Sequence, residues 1–68
     1  MDKADVLTIS NDRGQRRDVS WSEFCFIFVG SKNRDEINRI AAELTANGRS
    51  HWIAPADGVR VDIELQRA

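Results

Sequence analysis

The stretch Phe24-Cys25-Phe26-Ile27-Phe28-Val29, closed by Gly30, decides how this chain is read. It is an unbroken apolar run, rich in aromatic and β-branched side chains, and a run of this length bounded by glycine reads as a strand covered on both faces. Upstream, the strand is expected to begin near Arg17 and to pass through Val19 and Trp21, with a bend near Ser20-Trp21-Ser22 because the whole exceeds an ordinary strand. Val6-Leu7-Thr8-Ile9 supply a first strand, and Asn11-Asp12-Arg13-Gly14 a turn in which glycine accepts positive φ, so the chain opens as a hairpin.

Downstream of Gly30 the hydrophobic period changes from 2 to 3.6. Ile37, Ile40, Ala41 and Leu44 fall on one stripe of an amphipathic helix. Asn33 with Glu36 three positions on has the form of a capping box, and Gly48 suits the C′ position, which predicts a helix over residues 33–47. Asp35 with Arg39, and Arg39 with Glu43, are spaced as ion pairs on its outer face. His51-Trp52-Ile53 reads as a short strand and Pro55 to Gly58 as a turn. Val59, Val61, Ile63 and Leu65 then alternate with polar residues in a final strand facing Ile37, Ile40 and Leu44. The expected architecture is a small α+β domain, ββαββ, with a four-stranded, mainly antiparallel sheet and one helix packed on one face.

The 68 residues make a single domain spanning positions 1–68, with 41% hydrophobic and 31% charged residues, which are globular proportions. About 60% of the unfolded surface can be buried at this size, so the core is thin. A net charge of −1 creates no field that would draw the chain to phosphate backbones, and nucleic-acid binding is disfavoured on that ground. The longest apolar run is far shorter than a membrane helix, and Met1-Asp2-Lys3-Ala4-Asp5 is no basic start to a signal peptide. A cytoplasmic location is therefore expected, and the lone cysteine agrees with it.

Catalytic and metal chemistry find little to work with. Cys25 and His51 are the one thiol and the one imidazole, and Cys25 sits among apolar neighbours where a free cysteine behaves as a small buried hydrophobe. A zinc site would need scattered carboxylates. The acids fall in turns, on the outer helix face and on the polar side of the last strand, with no pair set in an apolar pocket. Gly30-Ser31-Lys32 lacks the first glycine of a phosphate loop. The chain is expected to be no enzyme and to use no cofactor or metal.

Ile27-Phe28-Val29-Gly30-Ser31 resembles the RNP2 strand of RNA-recognition motifs, a resemblance that implies Phe28 as a platform for stacking a base. No match to the RNP1 pattern lies downstream. The stretch from Phe24 to Leu65 also resembles half of a ferredoxin-like domain, as in septal peptidoglycan-binding repeats and the ribonuclease-activity regulator B family. A module for RNA or single-stranded nucleic acid is thus the alternative function.

The leading expectation comes from apolar surface. A strand with apolar side chains on both faces, and a helix for only one of them, leaves a surplus, either Phe24, Phe26 and Phe28 or Cys25, Ile27 and Val29, that calls for a protein partner or a second copy of the chain. The residues expected to meet it are Trp21, Phe24, Phe26, Phe28 and Trp52, with Arg13, Arg16 and Arg17 at the first hairpin. This points to a non-enzymatic inhibitor or regulator that works by occupying another protein's surface, in the size class of phage and mobile-element anti-defence proteins such as anti-CRISPRs.

Overall fold

The computed structural model describes residues 1–66. Strand β1 (Val6–Asn11) turns through Gly14 into β2 (Arg16–Ser20); after two helical segments come β3 (Arg49–Ile53) and β4 (Arg60–Leu65). The sheet is antiparallel throughout, in the order β2-β1-β4-β3. The first hairpin is closed by the side chain of Asn11, whose Oδ1 accepts from the Arg13 and Gln15 N–H groups while Gly14 takes φ of 79°. Helix α2 (Arg34–Asn47) ends where Gly48 enters the left-handed region and donates to the Leu44 carbonyl, as its sequence predicts.

The decisive stretch is not a strand. β2 stops at Ser20, and the chain winds at once into α1 (Trp21–Glu23) and then a π-helical turn (Phe24–Val29). Ser20 is the reason. Its Oγ accepts from the Glu23 N–H at 3.0 Å, so Ser20-Trp21-Ser22-Glu23 supplies the Ser-to-N–H half of a capping box and the strand is cut off there. At the far end Gly30 donates to the Cys25 carbonyl at 2.9 Å, five residues back, with φ of 92° that a side chain would resist. The bend expected near Ser20 is present; the segment beyond it is helical.

The cap expected at Asn33 does not form. Its side chain makes no cap bond and its Nδ2 lies 3.4 Å from the Val29 carbonyl, while Glu36 turns to Arg39. α2 forms nonetheless, because its stripe is buried: Ile40 and Leu44 are fully enclosed and Ile37 and Ala41 partly so. The wider core joins Leu7, Ile9, Val19, Trp21, Phe24, Cys25, Val29, Trp52 and Ile63. Val61 and Leu65 pack against it from β4, on the face expected for them. All of this lies on one side of the sheet.

The other side is open and polar, not apolar as the strand reading requires. Thr8, Ser10, Arg16, Asp18, Arg49, His51, Asp62 and Glu64 alternate with the core-facing positions in the strand register. Among the described residues, no helix is long and apolar enough to cross a membrane.

Candidate partner-binding surface

Helical winding sorts the apolar stretch differently from a pleated strand. Trp21, Phe24, Cys25 and Val29 point inward, at helical rather than alternating spacing, and Phe28 is half-buried beside them. Phe26 and Ile27 are left outside, 64% and 71% exposed. They are adjacent and large, on the outer side of the π turn.

Three of the aromatic residues expected to meet a partner are therefore core residues. Trp21, Phe24 and Trp52 are buried, with Trp21 stacked on Phe24 and Trp52 meeting Phe24 edge-on at 5.9 Å. Phe28 also stacks on Phe24, at 5.8 Å, and carries the Arg17 guanidinium over its ring at 5.9 Å. It is no platform on an open strand, so the RNP2-like reading loses the geometry it needs. Phe26 alone of the expected aromatics is presented to solvent, and Ile27, from the other alternating set, stands beside it.

The three hairpin arginines do not form one cluster. Arg13 sits at the turn, Arg16 on the open polar face, and Arg17 on the helical side, 3.5 Å from Glu23. Other cations lie beside Phe26. Lys3 and Arg34 line a shallow cleft beside Phe26, floored by Trp21, Cys25 and Ile37. Neither makes an ion pair among the described residues. The surface is thus an apolar ridge with a basic rim.

Cys25 and His51 are on opposite sides of the sheet. The thiol belongs to the helical layer, where burial pushes its pKa up and so favours the unreactive protonated form. His51 faces the open side, opposite Asp62. Among the described residues, no group of three or more His, Cys, Asp and Glu side chains is placed to hold a metal ion.

The densest polar network ties α2 to β3. Arg39 bonds Glu36 at 3.0 Å and Glu43 at 2.9 Å, and Ser50 donates to the same Glu43 oxygen. The hydrogen bond from Arg39 holds the Glu36 carboxyl below its ordinary range; the bond from Ser50 first, and then the Arg39 charge, do the same for Glu43. Arg39 and Ser50 spend their donors within the network, which makes it a clamp between the two elements.

No protein-family profile, curated protein or solved structure matches this chain.

Proposed function

We propose that this chain is a non-enzymatic protein-binding inhibitor or regulator, docking through Phe26 and Ile27 onto a partner surface with an apolar depression and an acidic rim. The observation that carries this reading is the outward presentation of two adjacent large apolar side chains from a turn whose other face is locked in the core. Bulky anchors of this kind, entering a pocket and surrounded by polar contacts, supply most of the affinity in protein interfaces. Lys3 and Arg34, which share a cleft with Phe26, give the acidic preference. π-helical turns also recur at functional positions, where an extra residue redirects side chains.

The test is capture from lysate of the source cell with the wild-type chain, Phe26→Asp and Ile27→Asp, each checked for an unchanged thermal transition. A protein held by the wild type and lost by both variants supports the reading, most directly if a photo-crosslinker at position 27 joins it. Equal capture by all three chains overturns it.

A further inference from the structure

The two edges of the sheet are finished differently. On β3, the residues alternating with Ser50 and Trp52 turn their backbone groups away from β4, and Arg39 reaches across from α2 to bond the His51 carbonyl at 2.8 Å. That edge has lost an acceptor to its own helix, a common way of closing a sheet to further strands. β2 has no such cover. Asn11 donates to the Gln15 carbonyl and Trp21 to the Asp5 carbonyl, which fixes Gln15, Arg17, Val19 and Trp21 as the positions bonded to β1. The backbone groups of Arg16 and Asp18 therefore point outward, and among the described residues none of their N–H or C=O groups is hydrogen-bonded.

We propose that the β2 edge is a self-recognition site, at which a second copy of this chain adds antiparallel about a two-fold axis through Arg17 to continue the sheet across both molecules. The charge pattern Arg16-Arg17-Asp18 selects the partner and the register. About this axis, Arg16 of each copy stands opposite Asp18 of the other, and each such pair exchanges both backbone hydrogen bonds. A shift of one pairing step in one direction sets Asp18 against Asp18; in the other it sets Arg16 against Arg16. Both place like charges directly opposite and are disfavoured. Arg16 makes no ion pair among the described residues, and Asp18 uses only Oδ1, to accept from Thr8 at 3.0 Å, so both are free to pair across the edge.

The two Arg17 side chains meet at the axis on the helical face. Each is already drawn toward its own Glu23 and lies over its own Phe28, which turns the guanidinium away from its twin. An edge built of alternating charge repels most foreign strands and fits its own copy, an isologous contact that closes at the dimer.

The experiment is sedimentation velocity across a concentration series at low and high salt, on the wild type, Arg16→Asp, Asp18→Arg and the double exchange. The wild type is expected to move from monomer to dimer, with association weakened by salt. Each single variant is expected to lose association by about tenfold or more, since it sets like charges opposite one another. The double exchange should dimerise again. Arg16→Asp mixed with Asp18→Arg should form a heterodimer although neither self-associates. Both substituted positions are exposed, and each variant is to be checked for folding by circular dichroism. A wild type that stays monomeric at millimolar concentration, or single variants that associate as well as the wild type, overturns the proposal; so does a mixture of the two that stays monomeric.

Discussion

Trp52 meets the ring of Phe24 edge-on at 5.9 Å, and this contact joins the last hairpin to the helical turn after the first one. It also separates Phe24 from Phe26, which would share a face in a strand. Phe24→Ala is expected to cost about 3–5 kcal/mol, as for a fully buried aromatic. Phe26→Ala should change stability by less than about 0.5 kcal/mol. Chemical denaturation of the two variants reads the difference, and equal losses would return the segment to a strand.

Helix capping makes a second contrast. Ser20→Ala should destabilise by about 1 kcal/mol, because the Glu23 N–H loses its acceptor at the point where strand gives way to helix. Asn33→Ala should fall well below that, since its side chain caps nothing. Thermal melts of both variants measure it. The reverse order would place the working cap at α2.

Acid sensitivity arises from the clamp around Arg39. Glu36 and Glu43 have folded-state pKa values held below their unfolded ones, so the stability they contribute is present above the unfolded carboxylate range, about pH 4.3, and is lost as pH falls through the folded values. Both side chains are partly in water, which keeps the effect modest and salt-dependent. Arg39→Met should flatten this acid limb in a series of melts from about pH 6 to about pH 2. An unchanged limb would mean that other carboxylates set it.

The Cys25 thiol should react slowly in the folded chain. Burial raises its pKa and leaves little of the residue in contact with solvent, so alkylation by iodoacetamide at neutral pH should be slower than in the chain unfolded by urea. Faster modification of the folded form would show an activated thiol and reopen the question of cysteine chemistry.

The first hairpin, α2 with its glycine stop, and the last two strands were legible because each carries one unambiguous period and a turn residue with a mechanical role. Residues 21–29 were not, because Phe, Ile, Val and Trp suit a buried strand and a buried helical turn equally well when the run is short. Two signals pointed the right way. Trp21, Phe24, Cys25 and Phe28 fall at i, i+3, i+4 and i+7, and Ser20 with Glu23 has the same capping spacing as Asn33 with Glu36. The competing β-propensity outweighed them. The expected surface carries the same error: a pleated strand would split Phe26 and Ile27 between opposite faces, whereas the helical turn exposes both and buries Trp21 and Phe24, with Trp52 also in the core.

The bond from the Gly30 N–H to the Cys25 carbonyl spans five residues where an α-helix spans four, so the turn carries a surplus position. That surplus lies among side chains the core does not hold. Loss of one codon at Phe26 or Ile27 would restore α-helical winding with Trp21, Phe24, Cys25 and Val29 still in phase, and would shorten the ridge without rebuilding the interior. The turn is thus a place where descendants of this chain can change what they touch by altering length, a route closed to the strands, where a single deletion throws every later side chain to the wrong face.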